Sequence, residues 1–223
     1  MAKIQRSPRS SACWQVATRS ETGRGRIETQ DAWAVHLNAL VAGRRLLLLG
    51  VFDGLGGHPG GGEAARAAAT RLHEAAREVS TPGDLLVGLD TSVRATGGLT
   101  TAAVAMLLPD GTGWVATAGD SAVHLLGPGQ TPAPKVPLDA VGPNTVTDCL
   151  GRLRAAGHCV PVHVPHGHGL LLSTDGVHRI ASPSALQSLM LGDDGPRALA
   201  ALFAGLRAAG LPDDATAILA RRR

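Results

Sequence analysis

The sequence predicts an α+β fold in which antiparallel sheets and helices lie in layers. Three observations point there. Eight short apolar runs, partly β-branched and bounded by Gly, Pro or Asp, read as strands. Only two long stretches carry the three-and-four spacing of an amphipathic helix, and neighbouring strands follow one another through turns rather than alternating with helices. At 223 residues and 44% hydrophobic, the chain has material for one domain with a sizeable core and is short for two, so residues 1–223 are read as a single domain.

The predicted strands span 12–18, 32–37, 45–52, 101–108, 113–118, 122–126, 169–173 and 215–220. Pro109-Asp110-Gly111-Thr112 joins two of them as a hairpin turn, since Pro presets one turn dihedral and Gly accepts a positive φ. A helix is predicted over 61–79, where Ala65, Ala68, Ala69, Leu72 and Ala76 share one face, and another over 196–209. A short helix over 183–191 has Ser182 as N-cap and Pro183 at its first position. The stretch 127–137, with four Pro and two Gly, reads as a surface loop.

Composition excludes several classes. Tyr is absent and only two Phe and three Trp occur, so bases have little to stack on and no nucleic-acid partner is expected. The net charge of +3 is spread along the chain and bunches only at the termini, where residues 1–10 read as a flexible basic tail. Cys13, Cys149 and Cys159 form no CxxC pair and are odd in number, which argues against a disulfide framework and a cysteine zinc site and favours the reducing cytoplasm. The longest strongly apolar run, 46–52, is far too short for a membrane helix, and no membrane partner is expected.

The strongest local signal is Val51-Phe52-Asp53-Gly54-Leu55-Gly56-Gly57-His58-Pro59-Gly60-Gly61, an apolar strand ending in a carboxylate, then a glycine-rich turn that opens a helix. It fits a phosphate cradle of backbone N–H groups, and equally a metal site built from Asp53 and a backbone carbonyl. As a dinucleotide-binding loop it would require strand–helix alternation and an acidic residue ending the next strand, and the following sequence supplies neither. Aspartates recur at strand edges: Asp31, Asp120, Asp175, Asp213 and Asp214. Carboxylates converging from strand ends repel unless divalent cations neutralise them, which makes an oxygen-ligand metal centre plausible. His163, His166 and His168 read as a surface loop, and the absence of a GxSxG elbow removes the usual context for a serine nucleophile.

Six segments in order, Arg26-Ile27-Glu28-Thr29-Gln30-Asp31, Asp53-Gly54-Leu55-Gly56-Gly57-His58, Gly98-Leu99-Thr100-Thr101, Gly119-Asp120-Ser121, Ser173-Thr174-Asp175-Gly176 and Asp213-Asp214-Ala215-Thr216, resemble the motifs of metal-dependent, type 2C protein serine/threonine phosphatases of the bacterial branch. The resemblance implies a central antiparallel β-sandwich flanked by helices, four layers in the order αββα, and a centre of two Mn²⁺ or Mg²⁺ ions. It also implies hydrolysis of phosphoserine and phosphothreonine by a metal-activated water. Carried over, Asp53 would bridge the ions, the Gly54 carbonyl would bind one, and Asp175 and Asp213 the other. Asp31 would be a ligand or would accept from metal-bound water, Asp120 would hold any third ion, and Arg26, five residues before Asp31, would hold substrate phosphate. His58 is a candidate proton donor to the leaving group. The implied partners are phosphorylated proteins and an opposing serine/threonine kinase, with the chain acting as a monomer.

The sequence departs from that pattern in four places. Arg179 stands where many relatives carry an aspartate that helps bind a third metal, Asp214 replaces a usual asparagine, and Ala122 a common arginine. The segment 128–168 is a shortened version of the substrate-contacting flap, with only an echo of its pattern at 144–151. Arg179 and the short flap motivate an alternative, a phosphatase-like module that binds phosphoproteins or a kinase with little turnover.

Overall fold

A computed structural model describes residues 9–10, 13–41, 43–56, 59–75, 81–139, 146–154 and 158–223. In chain order the elements are β1 (Arg9–Ser10), β2 (Trp14–Glu21), β3 (Asp31–Val41), β4 (Arg44–Asp53), α1 (Gly61–Ala75), α2 (Pro82–Arg94), β5 (Ala102–Leu107), β6 (Thr112–Ala118), β7 (Ala122–Leu126), β8 (His158–His163), β9 (Gly169–Ser173), α3 (Asp175–His178), α4 (Pro183–Ser188), α5 (Gly195–Ala208) and β10 (Ala215–Arg222). Two five-stranded antiparallel sheets result, ordered β1-β2-β10-β9-β7 and β3-β4-β5-β6-β8.

The strands lack polar alternation because both of their faces are covered. In β4, Leu47, Leu49 and Val51 pack between the sheets with Val16, Val104's neighbours Ala103 and Ala105, Leu172 and Ile218. Leu46, Leu48 and Phe52 point the other way, onto α1 and α2. In the sheet of β9 and β10, Leu170, Leu172, Ile218 and Ala220 face inward, while Leu171, Ala217 and Leu219 meet Leu199, Leu202, Phe203 and Leu206 of α5. The layers are therefore αββα, as the resemblance implies. The alanines Ala64, Ala65 and Ala68 let α1 lie close on β4, and a Cβ at Gly50 would stand 2.6 Å from Leu72. Among the described residues no helix is long and apolar enough to cross a membrane.

Eight predicted strands and three predicted helices have counterparts within a few residues, and the Ser182 hydroxyl accepts from the Ala185 N–H at 3.2 Å as expected of an N-cap. Four readings need correction, the first being the basic tail 1–10, whose residues Arg9 and Ser10 form β1 and pair with Val16 and Gln15 of β2. Helix α2 is not among the predicted elements, although Thr81 caps it, Pro82 opens it, and Leu85, Leu86, Leu89 and Val93 line its buried face. Strand β8 lies in the segment 128–168 taken as a shortened flap and is not among the predicted strands; Pro161 obscures it, and Pro is tolerated because β8 is an edge strand. Its last residue, His163, pairs with Thr112 rather than lying in a free loop. Finally, 127–137 is only partly a surface loop, since Val136 is buried and the Lys135 N–H bonds the Val123 carbonyl at 2.8 Å.

Candidate metal centre

One end of the sandwich collects the predicted acidic residues from five separate places. Asp31 opens β3, Asp53 ends β4, Asp120 lies in the β6–β7 turn, Asp175 follows β9, and Asp213 and Asp214 precede β10. Antiparallel pairing makes this convergence possible, because it brings the end of one strand beside the start of the next. Asp31 and Asp53 are direct partners across β3 and β4.

Threonines fix the carboxylates. The Thr174 hydroxyl donates to Asp31 Oδ2 at 2.9 Å, and its oxygen accepts from the Thr216 N–H at 3.0 Å, so Asp31 is tied to both β9 and β10. The Asp53 backbone is held by Thr100 and Thr101: the Thr100 hydroxyl donates to its carbonyl at 2.8 Å and its N–H donates to Thr101 Oγ1 at 3.1 Å. Gly54 has no space for a side chain, since a Cβ there would stand 2.4 Å from the Gly61 backbone and 2.8 Å from the Gln30 carbonyl. Its N–H bonds that same Gln30 carbonyl at 3.2 Å.

Two arginines flank the carboxylates. Arg26 places Nη2 2.5 Å from Asp213 and Nη1 2.9 Å from Asp214. Arg179 places Nη2 2.7 Å from Asp120 and Nη1 3.0 Å from Asp175. Asp214 is almost fully buried and also accepts from the Gly23 and Gln30 N–H groups, both at 2.8 Å. It therefore anchors the 23–30 loop that carries Arg26.

The electrostatics are those of a site short of positive charge. Burial pushes Asp31 up to about 7, against the hydrogen bonds from Thr216 and Thr174, with Asp214 and Asp213 adding to the rise. Burial, then the charges of Asp31, Asp175, Asp213 and Asp120, hold Asp53 well above the ordinary carboxylate range. Asp120 and Asp213 are raised as well, first by burial. Asp31 Oδ1 and Asp175 Oδ1 are buried with no hydrogen-bond partner among the described residues. Oxygen-only donors, orphaned oxygens and mutually repelling carboxylates fit hard divalent cations. Among the described residues no three His, Cys, Asp or Glu side chains are yet drawn round one point, and Asp213, Asp120 and Asp175 are instead turned to their arginines.

Arg26, Asp31, Asp53, Gly54, Asp120, Asp175 and Asp213 thus come to one end of the molecule, while His58 lies outside the described residues. The echo of the flap pattern is partly described: Leu150 exchanges backbone hydrogen bonds with Thr100 at 2.9 and 3.2 Å, and Asp90 accepts from the Gly151 N–H at 2.8 Å. Sequence reasoning gave no role to Thr174, Thr101 or Thr216. Thr174 and Thr216 stand near strand-end aspartates in two of the motifs, which was an available signal, whereas Thr101 closes a motif that has no aspartate of its own.

Comparison with solved structures places the fold among the bacterial serine/threonine phosphatases. The serine/threonine phosphatase of S. agalactiae superposes with a TM-score of 0.79 at 16% identity, covering 94% of this chain and 100% of that one. PppA, described as a key regulatory component of T6SS in Pseudomonas aeruginosa, gives 0.78 at 22% identity, covering 94% and 98%. The catalytic domain of the serine/threonine protein phosphatase PstP, solved with two manganese ions, gives 0.75 at 21% identity over the same shares. No protein-family profile matches the sequence, and no curated protein matches it significantly.

Proposed function

We propose that this chain is a metal-dependent protein-serine/threonine phosphatase of the type 2C family. It would remove phosphate from phosphoserine and phosphothreonine in proteins, as a cytoplasmic monomer opposing a serine/threonine kinase. The observation that carries the reading is the set of carboxylates facing Asp53 at one end of an αββα sandwich, with Arg26 beside them. The phosphatase descriptions of proteins sharing the fold support it.

Asp53, Asp175, Asp213 and the Gly54 carbonyl would hold two Mn²⁺ or Mg²⁺ ions, with Asp31 as a further ligand or acceptor. Bound there, such ions supply a water nucleophile of lowered pKa and positive charge for the phosphoryl oxygens. The chain's own part is to orient the substrate. Arg26 stays anchored through Nη1 to buried Asp214, and its half-exposed fork can offer Nη2 to a phosphate oxygen once Asp213 serves as a ligand. Burial pulls the guanidinium pKa down, but Asp214, Asp213 and Asp53 more than offset this, so its charge is secure.

The test is phosphate release from a phosphothreonine peptide with Mn²⁺, with Mg²⁺ and with EDTA, beside an Asp53→Asn control. Release that needs both metal and Asp53 is expected. Metal binding without turnover on several phosphopeptides would instead favour a phosphoprotein-binding module, and absence of both would overturn the proposal.

A further inference from the structure

We infer that Arg179 is a built-in counter-cation that occupies the place of a metal ion between Asp120 and Asp175, so that the centre takes two divalent ions and Asp120 is a ligand of neither; this rests on the metal-centre reading above. Each arm of the guanidinium engages a different carboxylate, Nη2 with Asp120 Oδ2 at 2.7 Å and Nη1 with Asp175 Oδ2 at 3.0 Å, which is the bridging role an ion would perform. A divalent ion brought to Asp120 would meet the positive guanidinium already paired with that carboxylate at 2.7 Å, and the two cations repel.

The cation is also held in position. Its backbone N–H bonds the Asp175 carbonyl at 3.0 Å, one turn back along α3, so the arginine rises from the same turn as the residue it pairs with. Asp120 is buried, so its carboxylate meets the guanidinium with little water between them. Asp175 keeps its second oxygen, buried and unpartnered, available to a divalent ion.

Charge counting agrees. With metal bound and every carboxylate ionised, Asp31, Asp53, Asp120, Asp175, Asp213 and Asp214 would bring six negative charges to this end of the sandwich, and Arg26 and Arg179 would return two positive ones. Two divalent ions cancel the remaining four. A third would leave an excess of positive charge with a cation already seated at its ligand.

Counting bound Mn²⁺ from the loss of the free-ion electron paramagnetic resonance signal tests this without any turnover. The wild-type chain is expected to bind two ions, and Asp120→Asn is expected to bind two as well. Arg179→Met, which empties the place and leaves Asp120 and Asp175 unpaired, is expected to bind three, and Asp120→Asn added to it returns the count to two. Loss of an ion in the single Asp120→Asn variant overturns the inference, as does an unchanged count in folded Arg179→Met. Should Arg179→Met not fold, the Asp120→Asn count decides alone. A wild-type chain that binds no Mn²⁺ removes the metal-centre reading itself, and the inference with it.

Discussion

Asp31 stands directly opposite Asp53 across the β3–β4 pair, two carboxylates on neighbouring strands with their backbones in register. Like charges opposed in this way destabilise a sheet. Here the conflict is buried, and it drives both groups toward protonation when no cation is present.

The metal-free protein should therefore lose stability as pH rises. Asp31 titrates near 3.8 when unfolded and is pushed up to about 7 in the fold. Its raised value favours the folded state below the unfolded value, and that advantage disappears as pH climbs to 7, at most on the order of 4 kcal/mol. In EDTA, Asp31→Asn should unfold at higher temperature than wild type at pH 8, with the gap closing toward pH 4. With saturating Mn²⁺ the gap should shrink or reverse, because a ligand has been lost. Equal melting temperatures in EDTA at every pH would contradict this.

An opposite trend should come from His124 and His178, whose rings lie 5.9 Å apart behind the centre. Burial, then the neighbouring charge of His178 for His124 and of Arg179 for His178, lowers each from 6.5 to about 4. Their contribution is present above 6.5 and is lost as pH falls toward 4, up to about 3 kcal/mol for one ring. Urea unfolding at pH 7.5 and at pH 5 should show a smaller acid loss for His124→Leu than for wild type, and the difference between the two proteins cancels the carboxylates common to both.

Gly54→Ala should disturb fold and centre together. The new methyl would meet the backbone of Gly61 and Gln30, not a movable side chain, so the strand end must shift. A loss of about 1–3 kcal/mol is expected, as for overpacking elsewhere. Thermal melting measures it, and Mn²⁺ binding should weaken in parallel; an unchanged melting temperature would show that the strand end is more pliable than the contacts imply.

Asp214→Asn should loosen Arg26. The carboxylate accepts from Gly23 and Gln30 N–H groups and from Arg26, and an amide can offer an oxygen on one side only. One buried donor is left unpaired, at about 1–3 kcal/mol. Assayed on a phosphothreonine peptide, the variant should lose kcat/KM mainly through a higher KM, and a KM equal to wild type would exclude an orienting role for this anchor.

Much of the site was readable because strand ends carry local signals. An apolar run that stops at Asp53 before glycines, or at Ser173-Thr174 before Asp175, marks an edge and a carboxylate together. Helix α2 was equally readable from Thr81, Pro82 and its leucines, whereas β8 was obscured by Pro161, which only its edge position tolerates. The extra charge expected from Asp214 beside the metals has a local explanation in the fold, where three donors consume it.

By itself the sequence determined the two-sided apolar strands, the alanine face of α1 and the order of the aspartates, since each depends on neighbours a few residues away. Only the tertiary structure decided which charges meet. The opposition of Asp31 and Asp53 depends on a register shift between His36 and Ala39, and moving one residue in that pairing would send Asp31 to the other face of the sheet. The bridge from Arg179 to Asp120 joins residues 59 apart in sequence, and that from Arg26 to Asp214 residues 188 apart. Electrostatic energy depends on distance in space and on burial, and neither is written in the spacing of residues along a chain.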